Sequence, residues 1–192
     1  MMILVDAPRA LPAAMMETLQ SVLEPYAHAY VSQSDANEEY TLAELLQKAD
    51  ANDLPALMPL AQEQTKDKRR YEADDIVLYL AGMERKEISA LYEKLEEAGL
   101  GGVMMAVQTP NNMNWTFEAL REELMQEAAY FRKREELVFY LEHADRARLE
   151  KDADYRNCMM LAASLMQEND LSEKMLDTAL AVVRSLHGVQ NS

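Results

Sequence analysis

Asp75-Ile76-Val77-Leu78-Tyr79-Leu80 is the stretch on which the reading of the chain turns. A strand with one face in water alternates apolar and polar residues. This run is apolar almost throughout and stops at Gly82, so it reads as a strand covered on both faces. Downstream, the spacing predicts a helix from about Arg85 to Ala98, with Ile88, Leu91, Tyr92 and Leu95 inward and Gly99 as a left-handed cap. Val103 to Val107 then forms another strand. Toward the N-terminus, Ile3-Leu4-Val5 is a short β-rich run ending at Asp6-Ala7-Pro8. Leu11, Ala14, Met15, Leu19, Val22 and Leu23 follow at helical spacing, and Tyr26 to Val31 reads as a second strand.

Four strands separated by helices predict an α/β fold: a small four-stranded, mainly parallel sheet with flanking helices. The rival is a ferredoxin-like α+β sheet, in which Tyr26 to Val31 pairs antiparallel with Asp75 to Leu80. Thr41-Leu42-Ala43-Glu44 is a capping box that starts a helix over Leu42 to Ala49. A second short helix is expected over Pro55 to Gln62, and the polar run Gln62 to Arg70 reads as a solvated loop or fraying helix end. Beyond the fourth strand, Thr116 is a favourable N-cap for a long helix reaching toward His143, with Phe117, Leu120, Leu124, Ala128 and Phe131 on one stripe. Ala144 to Asp154 is charged and loop-like, and two amphipathic helices follow over Tyr155 to Gln167 and Ser172 to Leu186. The expected division is an α/β domain over 1–116, with a helical insertion at about 41–70, and a C-terminal helical segment over 117–192.

The 192 residues carry 19 Lys+Arg against 34 Asp+Glu, a net charge of −15, which repels phosphate backbones and anionic lipid surfaces. Nucleic acid and membrane are therefore poor partners. The single cysteine, Cys158, makes no internal disulfide and suits a reducing cytosol. The N-terminal apolar run is too short for a signal peptide, and no apolar stretch approaches the roughly 18 residues of a membrane span, so the expected location is the cytoplasm. Phosphate loops, GxGxxG turns, HExxH pairs and nucleophile elbows are absent from the sequence. His28, His143 and His187 lie on separate elements, and Cys158 sits among Met159, Met160 and Leu161 as a buried thiol would. Glu118, Glu122, Glu123 and Glu127 recur on one helix beside Arg121 as a solvated, charge-paired face. No catalytic residue, metal or cofactor is expected. The favoured reading is a non-enzymatic binding or regulatory module acting through protein–protein contacts, its C-terminal helices available to a second copy or another protein.

One loop stands out: Thr109-Pro110-Asn111-Asn112-Met113-Asn114-Trp115-Thr116. In a parallel sheet it leaves the carboxyl end of a strand, where α/β folds bind ligands, and Asp6 and Gly82 leave the same edge. Asp6, Thr109, Asn111, Asn112, Asn114 and Trp115 would then surround a small polar ligand, held by amides, a hydroxyl and an indole, and the alternative reading is a small-molecule-binding α/β protein or an enzyme that uses this loop. The same residues also serve the backbone: Asn makes Asx-turns and caps helices, Pro110 forces Thr109 extended, and Trp115 can staple the helix start to the core.

The run Met104 to Trp115, followed by Leu120, Glu123, Leu124 and Glu127, resembles domain-of-unknown-function family 3783, whose pattern is roughly L-K-A-V-x-T-P-x-N-x-x-W with an E-L-x-x-E-H helix after it. Ala106, Val107, Thr109, Pro110, Asn112 and Trp115 match. The resemblance covers about Asp75 to Ala128 and implies a bacterial, cytoplasmic protein while supplying no reaction. Met105 stands where the family commonly has lysine and Ala128 where it commonly has histidine, so charge-based chemistry at those two family positions does not carry over.

Overall fold

The computed structural model describes residues 1–8, 11–31, 39–56, 72–168 and 171–188. The expected helix over Pro55 to Gln62 and the polar run to Arg70 lie largely outside them. The chain packs as two units, Met1–Leu124 and Met125–Ser192.

The first unit is built on the apolar strand. β1 (Met2–Asp6), α1 (Ala13–Leu23) and β2 (His28–Val31) form one strand–helix–strand half, and β3 (Val77–Ala81), α3 (Arg85–Glu97) and β4 (Met104–Val107) form another; α2 (Leu42–Asp50) lies between the halves in sequence. The sheet order is β2-β1-β3-β4. β1 runs parallel to β2 and β3 parallel to β4, but β1 and β3 meet antiparallel, with Leu4 opposite Tyr79. The α/β class holds, whereas the mainly parallel sheet is corrected to a mixed one. Each helical crossover makes its own strand pair parallel, while the segment joining the halves reverses direction. The ferredoxin-like pairing of the second strand with the third is absent as well, because β1 lies between them.

Both faces are covered, as the apolar strand requires. Ile3, Val5, Tyr30, Leu78 and Leu80 pack on one face with α1 and α3 residues such as Leu19, Leu23, Leu91 and Leu95. Leu4, Ala29, Val31, Val77, Tyr79 and Ala106 pack on the other with Leu42 and Leu45 of α2 and Phe117 and Leu120. Tyr92, expected inward, is about half exposed. The buried side of α3 is narrow, set by Leu91 and Leu95 one turn apart, and Tyr92 lies a residue off it. Gly82 and Gly99 have φ of +66° and +75°, ending β3 and α3 in conformations that a side chain strains.

α4 (Phe117–Glu142) begins in the first unit and continues into the second, which also holds α5 (Arg146–Lys151), α6 (Ala153–Leu165) and α7 (Glu173–Gly188). Ala144 to Asp154, expected as a loop, is mostly helical. Asp145 accepts from the N–H groups of Ala147 and Arg148 to start α5, and Asp152 accepts from Tyr155 N–H to start α6. Leu137, Tyr155, Met159, Ala162, Leu176, Leu180 and Val183 form this unit's core. The apolar stripe expected along α4 breaks: Phe117 and Leu120 are buried, but Phe131 is half exposed. Among the described residues no helix is long and apolar enough to cross a membrane.

Candidate functional site

The loop after β4 is organised around one amide. Asn112 is 8% exposed and opens a single 3-10 turn, Asn112–Asn114. Its Oδ1 accepts from the Tyr79 hydroxyl and from Thr109 N–H, both at 2.9 Å, while its Nδ2 donates to the Val107 carbonyl at 2.9 Å. Thr109 Oγ1 accepts in return from Asn112 N–H at 3.2 Å. Three of the amide's four bonding positions are thus filled by the chain. Burial pushes the Tyr79 hydroxyl above its ordinary pKa, keeping it a neutral donor.

Trp115 packs against the Leu4–Tyr79 face, and its carbonyl accepts from Leu42 N–H, the first orphan donor of α2. The expected capping box meets a further donor of that helix and the N-cap's own: Glu44 N–H donates to Thr41 Oγ1, and Thr41 N–H donates to Glu44 Oε2. That reciprocal bond holds the Glu44 carboxyl below its usual pKa. Thr116 Oγ1 accepts from Ala119 N–H, as an N-cap does. The loop therefore joins three elements, β3 through Tyr79, α2 through Trp115 and α4 through Thr116. The outward amides are those of Asn111 and Asn114, whose residues are exposed.

Asp6 does not join this group. β4 runs parallel to β3 and β1 antiparallel to it, so the carboxyl end of β1 meets Val77 at the start of β3, while Thr109 and Gly82 leave the opposite end. The expected shared edge holds for Gly82 and Thr109 and fails for Asp6. The Asp6 side chain is buried, and its Oδ2 accepts from Arg121 Nη2 at 2.6 Å. Arg121 Nη1 also donates to the Asp75 carbonyl at 2.8 Å. Asp6 Oδ1 is buried without a hydrogen-bond partner. Arg121 was expected on a solvated face; it turns inward because a buried carboxylate at the end of β1 requires a cation. Glu118, Glu122, Glu123 and Glu127 are exposed.

Two residues that matter here, Tyr79 and Arg121, carry no local sequence signal. Tyr79 reads as one more apolar strand residue and Arg121 as one more surface charge; each meets its partner only through the fold, 33 and 115 residues away. Among the described residues no group of three or more His, Cys, Asp or Glu side chains is placed to hold a metal. No curated protein and no solved structure matches the chain. Residues 77–131, from β3 through the Thr109–Trp115 loop into α4, match the model of the family described as Domain of unknown function (DUF3783).

Proposed function

We propose that the protein is a non-enzymatic interaction module whose C-terminal helices pair with a second copy of the chain. The observation that carries this reading is the apolar run along the outer side of α4, where Met125, Phe131, Val138 and Phe139 are all exposed. Met125, Ala128, Arg132, Glu135 and Phe139 follow the three-and-four spacing of one helix face, with Phe131 and Val138 alongside, seven residues apart. Two such helices laid antiparallel about a point between Arg132 and Glu135 bring Phe139 over Ala128. They also bring each Arg132 opposite Glu135 of the second copy. Arg132 Nε donates to its own helix at the Ala128 carbonyl, and neither Arg132 nor Glu135 forms an ion pair among the described residues. A self-complementary patch of this kind suits a two-fold dimer.

Sedimentation velocity on the full chain tests it. A dimer at micromolar concentration is expected, and Phe131→Lys with Phe139→Lys converts it to a monomer with unchanged helical circular dichroism. Arg132→Glu and Glu135→Arg each weaken the dimer, and the two together restore it. A monomer at every accessible concentration, or a dimer indifferent to all four substitutions, refutes the reading. A second reading, a small polar ligand at the Thr109–Trp115 loop, rests on the exposed Asn111 and Asn114, since Asn112 is occupied. It requires that Asn111→Ala with Asn114→Ala abolish retention of whatever small molecule co-purifies.

A further inference from the structure

On the flank of the second unit, α6 and α7 form a cavity of about 380 Å³ that is open to solvent, with Leu161, Met175 and Val182 exposed along it. Its volume falls in the range of small-molecule sites, roughly 300–1,000 Å³. Cys158, Leu161 and Leu165 line it from α6, and Met175 and Val182 from α7, with Lys174 at the α7 end nearest the helix connection. Tyr155, Met159 and Ala162 are buried in the core of this unit and Cys158 and Leu165 pack against it, while Leu161 is exposed; Cys158, Leu161, Ala162 and Leu165 together form one wall of the cavity.

The charge around this cavity is unlike that of the chain. In a protein of net charge −15, no carboxylate among the described residues lines it. The two acids in the first turns of α7 are drawn to the other side of that helix, where Lys133 Nζ lies 2.7 Å from both Glu173 and Asp177. Lys174 is left facing the cavity and forms no ion pair among the described residues. An apolar groove ending at one ammonium without an ion pair among the described residues, beside the positive end of a helix, selects an apolar body with an anionic head.

We propose that the α6–α7 cavity binds a monoanionic amphipath of the acyl-carboxylate class, its head on Lys174 and its chain along Leu161, Met175 and Val182. This site is independent of the α4 face assigned to the second copy.

Cys158 supplies the readout, because it lines the cavity and is the single cysteine of the chain. Burial raises its thiol pKa, which keeps alkylation slow enough to follow. The full-length protein is alkylated with iodoacetamide while decanoate, decanol or decyltrimethylammonium is titrated below micelle formation. Decanoate is expected to protect Cys158 saturably, about tenfold more tightly than decyltrimethylammonium, the scale of one charge-assisted hydrogen bond. Lys174→Gln removes the preference and Lys174→Glu reverses it, with the fold checked by circular dichroism. Leu161→Lys, at an exposed position, abolishes protection by decanoate. Equal protection by the anionic and cationic probes, a preference unchanged in Lys174→Glu, or no protection at all overturns the proposal.

Discussion

Replacing Asn112 with alanine tests whether the Thr109–Trp115 loop is a folding device. The substitution removes three hydrogen bonds at once, to the Tyr79 hydroxyl, Thr109 N–H and the Val107 carbonyl. Tyr79 is fully buried, so its hydroxyl has no route to water, and a buried polar group left unsatisfied costs about 1–3 kcal/mol. The two backbone groups lie in part-buried surroundings, where water recovers some of the loss. The sum is about 3 kcal/mol, or a drop in Tm of roughly 6–12 °C for a chain of this size. Tyr79→Phe removes a single bond and leaves Asn112 Oδ1 still accepting from Thr109, so it costs only about 1 kcal/mol. The double variant loses about 1–2 kcal/mol less than the sum, because no hydroxyl remains to be orphaned. Urea unfolding is followed through Trp115, the one tryptophan of the chain, which packs against the same face and reports on the first unit alone. An Asn112→Ala variant within about 0.5 kcal/mol of the parent, or strict additivity with Tyr79→Phe, refutes this account of the loop.

Arg121→Ala leaves the Asp6 carboxylate buried without its cation, and a loss of about 3 kcal/mol is expected in the same unfolding assay. Tyr30→Phe goes the other way. The Tyr30 hydroxyl is buried without a partner, so its removal is neutral or stabilising by thermal melt, and a loss above about 1 kcal/mol contradicts that burial. Burial pushes Tyr30 up to about 12, above the unfolded value near 10. The neutral form is thus the one the fold favours, so its contribution is intact below about pH 10 and disappears as pH rises toward 12, visible as a late tyrosinate absorbance step absent from Tyr30→Phe. Glu44, Glu136 and Asp152 are held below their usual pKa by Thr41 N–H, Arg184 and Tyr155 N–H respectively. Their stabilisation is present above about pH 4 and is lost as pH falls through the lowered values. A melting temperature that declines below pH 4, with a shallower decline in Glu44→Gln, is the expected titration.

What could be read from the chain was what neighbours in sequence decide. The capping box at Thr41 and Glu44 is complete within four residues, and the buried character of Val77 to Ala81 is written in its own composition. Strand direction is not local. The antiparallel meeting of β1 with β3 depends on the path between Val31 and Val77, and apolar strands read alike in either direction. The same limit applies to the site. The loop stands out for its asparagines, but the partner that occupies Asn112 lies three elements upstream, on β3, and the partner of Asp6 lies on the far side of the sequence. α5 was legible and passed over: Asp145 and Asp152 are each followed by residues that sustain a helix, a signal hidden by the charge of the segment. Phe131 carried the opposite trap, since an apolar residue on a helix reads as core until the other side of the helix, Tyr130 and Leu137, is seen to supply it.

The antiparallel seam between the two strand–helix–strand halves also governs how this fold tolerates changes in chain length. Each half closes its own parallel pair through a short helical crossover, where adding residues would displace a packed helix. The connection between the halves carries α2, whose Leu42 and Leu45 pack on the sheet, and it spans from β2 at one side of the sheet to β3 at its middle, two strands away. In general, lengthening a loop that packs against nothing costs only about 0.6 kcal/mol for each doubling. Added length is therefore expected to cost least where it leaves all three packed helices, α1, α2 and α3, on the sheet.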